Sequence, residues 1–318
     1  MKRFLSVLAL SISALAFAAC GQAQAATGGG AAQPAETILV NHRDGQTLVP
    51  INPTRVAVYD FAIVDTLYHL GIAHDVIIAT NANAWANTHL AHLENAFNHA
   101  GTLHEPDLEA LAALDPDLII ISGRAAPHIN ELNQLAPTIN LGAINEDFMG
   151  GFAANNTYLG QIFGMQEEVS AALATIDNQI AELTTQATAL NKTALIMLHN
   201  DGSLRAFGPN SRFGLIHEVG IAPVNPDIEV VGHGYVISNE FIIAHNPDML
   251  LVFDRNAIAA GEAASRQDIE NEIVQLTNAY QNNNIFYMDS GLWYLAQGGL
   301  GGMFSQISEL ESILSQIQ

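Results

Sequence analysis

Basic residues are scarce in this chain. Ten lysines and arginines stand against 32 aspartates and glutamates in 318 residues, a formal charge of −22 at neutral pH. A surface so acidic repels nucleic acid and anionic membranes over long range, which argues against both as partners. Cysteine is rarer still. Cys20 is the only one, so no internal disulfide can form and stability must come from core burial. Beyond the first twenty residues no apolar run is long enough to cross a bilayer as a helix. There is no G-x-S-x-G nucleophile elbow, no P-loop and no dinucleotide fingerprint. The glycines at Gly298, Gly299, Gly301 and Gly302 lack the strand-before, helix-after setting of a phosphate loop. The motifs that most often betray a hydrolase, an NTPase or a dehydrogenase are therefore missing.

The amino terminus supplies the first positive reading. Lys2 and Arg3 precede an apolar run from Phe4 to Ala19 that ends in small residues, the form of a secretory signal peptide. Phe17-Ala18-Ala19-Cys20 resembles a lipobox with Phe17 where leucine is usual, and would leave Cys20 as a lipid-modified first residue. Ala23-Gln24-Ala25 offers the competing cleavage site, after Ala25. We read 1–20 as a lipoprotein-like signal peptide and 21–36, small and low in complexity, as a flexible tether. The expected location is the periplasm, membrane-anchored where Cys20 carries lipid. Losing Lys2 and Arg3 takes the charge from −22 to −24 and leaves Lys192 and seven arginines as the only cations. In such a background each arginine is informative.

Short Val- and Ile-rich runs alternate with helical patterns through both halves. Arg55–Tyr59, Asp75–Ala79 and Leu118–Ser122 read as buried strands in the first half, with helices at Ala62–Leu70 and Leu108–Leu114. Ala194–Leu198, Met249–Phe253 and Ile285–Met288 are strands of the same kind in the second. The alternation predicts an α/β fold: two Rossmann-like lobes of parallel βα units, 37–162 and 192–318, with the ligand cleft between them. The segment 163–191 joins them. From Gln166 to Leu190 it has no Gly or Pro, and Val169, Leu173, Ile176, Ile180 and Leu183 recur at helical spacing. That predicts one long, stiff helix and a modest range of lobe closure.

An internal repeat supports the two-lobe reading. Glu109, Pro116, Asp117 and Arg124 recur as Glu240, Pro247, Asp248 and Arg255, each displaced by 131 residues (240 − 109). Each copy reads as helix, Pro-Asp turn, buried strand, and an arginine just past the strand. Ligands of open α/β sheets bind beyond the carboxyl ends of the strands, where Arg124 and Arg255 are placed. Arg212 lies in the Gly- and Pro-bearing loop Phe207–Gly214. Three guanidiniums facing one cleft would suit a polyanion, since arginine keeps its proton and donates in a planar fork. The alternative is that each pairs with a nearby carboxylate, as Asp254 could for Arg255.

From Thr37 onward the chain resembles the siderophore-binding subfamily of periplasmic binding proteins, the FatB- and CeuE-type catecholate receptors of ABC importers. The stretches that carry the resemblance are Arg55–Leu70, Gly101–Arg124, Phe207–Glu218, Gly232–Ser238, Val252–Glu262 and Leu292–Gly299. It implies a non-enzymatic, monomeric protein without a cofactor of its own. Its ligand would be a ferric siderophore, and its partners an inner-membrane permease dimer with its ATPase. The matching arginine trio is Arg124, Arg212 and Arg255, which would grip the negative ferric catecholate. His233 and Tyr294 match residues that complete the iron shell when the siderophore offers only four oxygens. Hard Fe(III) favours such oxygen-rich sets, and phenolate suits it. Glu109 and Glu240 match acidic residues that dock one lobe each onto permease arginines, with Glu105 as a competitor in the first lobe. The architecture also serves haem and cobalamin. The reading from another class is an exported metal-dependent hydrolase using His89, His92, His99 and His104.

Overall fold

In the first half of the chain, β1 (Thr37–His42) and β2 (Gly45–Pro50) form an antiparallel hairpin. Then β3 (Val56–Tyr59), β4 (Ile77–Thr80), β5 (Asn98–His99), β6 (Leu118–Ile121) and β7 (Thr138–Asn140) build an all-parallel sheet in the order β5-β4-β3-β6-β7. Every residue of β3 and β6 is buried, as expected for unbroken apolar runs in a sheet covered on both faces. The computed structural model describes residues 36–143, 147–228, 234–256 and 266–317. The strand expected from Asp75 starts at Ile77 instead, because Ala73–Val76 is a helical turn. Its apolar Ala73 and Val76 are buried while His74 and Asp75 face solvent, a three-residue spacing that a strand cannot satisfy.

The second half holds β8 (Thr193–Asn200), β9 (Ser203–Phe207), β10 (Ala222–Pro223), β11 (Tyr235–Ile237), β12 (Met249–Asp254) and β13 (Ile285–Tyr287), in the order β11-β9-β8-β12-β13 with β10 also on β8. Here the likeness of the lobes is partial. β8, β12 and β13 run parallel, whereas β9 is antiparallel to both of its neighbours, β8 and β11. The cause is local. Asp201 and Gly202 both have positive φ, at 48° and 75°, which turns β8 straight back into β9.

Among the described residues, the helices of seven residues or more are α1 (Phe61–His69), α2 (Leu108–Leu114), α3 (Phe148–Phe163), α4 (Gln166–Leu190), α5 (Asn239–His245) and α6 (Leu300–Gln316). α4 is the connecting helix. Gly164 at φ 68° ends α3 and Asn191 at φ 48° ends α4, so the helix proper is 25 residues, slightly shorter than the segment 163–191. At 1.5 Å per residue it runs about 37 Å. Val169, Ile176, Leu183 and Ala187 bury its inner face in a core shared with α6.

The internal repeat is visible in the capping. α2 starts on the side chain of Asp107 and ends at Asp115 (φ 48°), and α5 starts on Ser238 and ends at Asn246 (φ 43°). After each left-handed cap, the aspartate of the Pro-Asp turn reaches across to the neighbouring strand. Asp117 accepts from the backbone of Thr54 and Arg55 ahead of β3, and Asp248 from that of Thr193 at the start of β8. Each turn thus fixes where the adjacent parallel strand begins.

α6 fastens the halves together. It packs on both α1 and α4, and its first turn is capped by side chains of α1. The Asp65 carboxylate accepts from Gly302 N at 2.8 Å and is held from behind by His89 Nε2 at 2.7 Å, while Thr66 Oγ1 accepts from Leu300 N at 3.1 Å. This explains Gly299, where any Cβ would overlap the Asp65 carboxylate. Asp65→Ala should strand a buried N–H and the His89 ring, costing about 2–4 kcal/mol. Calorimetry should show a lower melting temperature, partly restored in Asp65→Asn. An unchanged melting temperature would mean that α6 caps itself.

Candidate functional site

The residues that converge at the carboxyl edge of the first sheet come from four separate segments. β3 delivers Asp60, whose extended backbone (φ −152°, ψ 130°) lets its carboxylate cap α1 by accepting from Ala62 N at 2.8 Å and Ile63 N at 3.3 Å. β6 delivers Ser122 and, two residues on, Arg124. The loop after β9 delivers Arg212. It is pinned by Phe213, which is fully buried, stacks on Phe253 of β12 at 4.1 Å and meets Phe207 edge-on at 4.8 Å.

The fourth segment is a π-helical turn, Gly291–Leu295, a helix irregularity that gathers at functional sites. Gly291 allows it to pack against the first lobe, since a Cβ there would overlap the carbonyl of Asn87. Trp293 is fully buried and donates from Nε1 to Glu309 Oε2 on α6 at 2.6 Å. Burial pushes the Glu309 carboxyl up from its ordinary value, with the Trp293 bond acting against that shift. With Trp293 and Leu295 buried on either side, Tyr294 is presented half-exposed.

The arginines meet at this turn. Arg124 Nη2 donates to the Tyr294 carbonyl at 3.0 Å and Arg212 Nη2 donates to the same oxygen at 2.7 Å. One guanidinium comes from each lobe. Arg212 also lies 4.0 Å from the centroid of the Tyr294 ring, a cation–π contact. Two like charges at one carbonyl need a counter-charge, and Asp60 attracts both. Burial pushes the Asp60 carboxyl up from its ordinary value, opposed by Arg124 and by the two N–H donors of α1. Burial brings Arg212 down to about 10. Tyr294 opposes that shift most, Arg124 deepens it and Asp60 opposes it, and the group keeps its proton at neutral pH. Its Nε is buried and has no hydrogen-bond partner among the described residues. The guanidinium is a fixed positive charge at the carboxyl edge of the sheet.

Of the expected trio, the structure joins two. Arg255 follows β12 directly and lies at the same edge of its own sheet, but its Nη1 donates to Asn200 Oδ1, at the end of β8, at 3.0 Å. The Asp254 carboxylate accepts from Asn256 N at 3.0 Å and lies 3.5 Å from His199 Nδ1. Adjacent β8 and β12 set Arg255 beside Asn200, and among the described residues it shares no hydrogen bond with the Arg124–Arg212 pair. His233 and Cys20 lie outside the described residues.

Glu109 and Glu240 are exposed, each in the first turn of its helix. Glu105 is exposed too. The Glu240 carboxyl is held below its ordinary range by hydrogen bonds, chiefly from the Ser238 side chain. The four histidines considered as a metal site each have a separate partner. His89 binds Asp65, His92 meets the Tyr68 ring edge-on at 5.2 Å, His99 bonds the Glu94 carbonyl at 2.7 Å, and the backbone N–H of His104 donates to Thr102 Oγ1 at 3.3 Å. Among the described residues no group of three or more His, Cys, Asp or Glu side chains is arranged to hold a metal ion. Nor is any helix among them long and apolar enough to cross a membrane.

Asp60 was not anticipated from the sequence. The pattern that marks it is a polar residue between the end of a buried strand and the start of a helix, at the edge where ligands bind.

Comparison with known proteins bears on this site. The profile described as periplasmic binding protein matches residues 56–292. Petrobactin-binding protein YclQ of Bacillus subtilis is 38% identical, over 99% of this chain and 100% of its own length. Its crystal structure superposes with a TM-score of 0.82, covering 88% of this chain and 99% of that one. Ferric-anguibactin-binding protein FatB of Vibrio anguillarum is 30% identical, over 87% of this chain and 88% of its own. The periplasmic catecholate-siderophore binding protein VctP of Vibrio cholerae superposes with a TM-score of 0.81 at 30% identity, covering 87% of this chain and 100% of that one.

Proposed function

The chain belongs to the family of periplasmic binding proteins, and on that premise we propose that it captures a ferric catecholate siderophore and delivers it to the permease dimer and ATPase of an ABC importer. The observation that carries the reading is the convergence of Arg124 and Arg212 on one carbonyl, beside the half-exposed Tyr294. Ferric catecholates are anionic, flat-faced and oxygen-rich. A guanidinium pair supplies charge and planar donors, and the phenol supplies both an aromatic face and a hard oxygen. Cobalamin needs no such pair, and haem would need one or two axial ligands besides. The names of the relatives YclQ, FatB and VctP each specify a siderophore or its class. Arg255 adds charge at the rim, and His233, on resemblance alone, shares the iron shell with Tyr294. Delivery takes place in the periplasm, with Cys20 as the lipid anchor.

The test is optical. Mature protein mixed with a ferric bis-catecholate should carry the colour through a desalting column, and apo-siderophore should not be retained. Tyr294→Phe should then shift the charge-transfer band with this four-oxygen ligand, and leave it in place with a tris-catecholate that fills the shell itself. Colourless wild-type protein would overturn the proposal. Retention with an unmoved band in the variant would remove Tyr294 from the iron.

A further inference from the structure

We infer that Glu309 of α6 is a positioning residue for ligand capture, a role that rests on the siderophore reading: its carboxyl group holds the turn Gly291–Leu295 so that Tyr294 meets the iron complex and the two guanidiniums. Two N–H donors of this segment end on the one side chain. Asp289 N donates to Glu309 Oε1 at 2.9 Å, and Trp293 Nε1 donates to Glu309 Oε2 at 2.6 Å. Asp289 in turn accepts from Leu292 N with Oδ1 at 2.9 Å and from Trp293 N with its carbonyl at 3.0 Å. The residue that leads into the turn and the residue just before Tyr294 are thus both tied to α6. The pair of bonds accounts for the residue type. Two donors need two acceptors on one side chain, which a carboxyl group offers and an amide does not, since half of an amide is itself a donor. Trp293 is fully buried, and a buried indole N–H is costly to leave without a partner.

The place of Glu309 along α6 adds a link to the first lobe. Gly302 N, in the first turn of the helix, donates to Asp65 of α1 at 2.8 Å, and Glu309 stands seven residues (309 − 302), about two turns, further on. One helix is therefore pinned to the lobe that supplies Arg124 and also to the turn whose Tyr294 carbonyl receives both Arg124 and Arg212. A group that is held loosely serves a metal complex badly. Loss of an outer partner that orients a metal ligand typically costs about 10- to 100-fold in affinity.

The experiment compares Glu309→Gln with wild type, with Trp293→Phe, which breaks the same bond from the other side, and with Glu311→Gln, an exposed carboxylate of the same helix. Affinity for a ferric bis-catecholamide is measured by equilibrium titration, the charge-transfer band is recorded at saturating ligand, and the melting temperature is taken without ligand. Glu309→Gln is expected to bind roughly tenfold or more weakly and to displace the band. A variant that is merely less stable would show the wild-type band once saturated. Trp293→Phe should displace the band too, and Glu311→Gln should match wild type in both readings. An unmoved band or an unchanged affinity in Glu309→Gln, whatever its melting temperature, would overturn the inference. Equal losses in Glu311→Gln would overturn it as well, by assigning the effect to charge on α6. Should Glu309→Gln fail to fold, Trp293→Phe decides on the same two readings. Wild-type protein that retains no ferric complex would instead overturn the siderophore reading.

Discussion

Arg212→Ala is expected to weaken capture of a ferric catecholate by about 30-fold or more, the lower end of the range for truncating one partner of a buried, hydrogen-bonded charge contact. Three features put Arg212 above the other arginines. Its guanidinium is set against the Tyr294 ring and carbonyl, its Nε is buried without a protein partner, and its loop is anchored by Phe213. Arg124→Ala should follow closely, since it shares the same carbonyl. Arg255→Ala should cost least, because that side chain is already held by Asn200. Arg212→Lys should recover only part of the loss, since an ammonium keeps the charge but not the planar fork. Equilibrium titration of the four variants gives the order directly. Equal losses at all three arginines would place Arg255 in the cluster after all, and wild-type affinity in Arg212→Ala would move the anion site elsewhere.

Much of this scaffold was legible in the residues themselves, for identifiable reasons. β3, β6 and β12 are unbroken apolar runs that only a covered parallel strand can use, and α4 has no residue that stops a helix between Gln166 and Leu190. The Glu–Pro–Asp–Arg repeat located the carboxyl edges of both sheets, and so Arg124 and Arg255. The meeting of Arg124 with Arg212 leaves no such mark, because what joins them is a backbone carbonyl, and any residue has one. Asp60 reads locally as a helix cap, and only folding reveals the cations around it. The Asp65 cap on α6 joins positions more than 230 apart in the chain, beyond the reach of any periodicity. The β8–β9 hairpin is a different case. Its Asp201-Gly202 turn was written plainly in the sequence, but the expectation of parallel βα units passed over it.

The double variant Glu109→Ala plus Glu240→Ala is expected to abolish delivery while leaving capture intact. The two carboxylates occupy equivalent places, in the first turns of α2 and α5, seven residues ahead of the Pro-Asp turns at Pro116 and Pro247. Each helix leads into a strand whose far end carries a site arginine, so the carboxylates mark the same point on each lobe. A docking partner built of two like subunits presents its own cations in a pair, and a repeated acidic residue is the simplest complement. Both side chains are exposed, and the Ser238 bond lowers the Glu240 carboxyl from its ordinary value. Single exposed ion pairs contribute only about 0–1 kcal/mol, so either substitution alone should change little. Together they remove both anchor points, and the loss should appear in ligand-stimulated ATP hydrolysis by the reconstituted permease. Affinity for the ferric ligand should stay at the wild-type value, since neither carboxylate contributes to the Arg124–Arg212 pair. Should the double variant still stimulate the ATPase normally, Glu105→Ala in that background tests the remaining first-lobe carboxylate, and normal stimulation by the triple variant would show that the permease reads another surface.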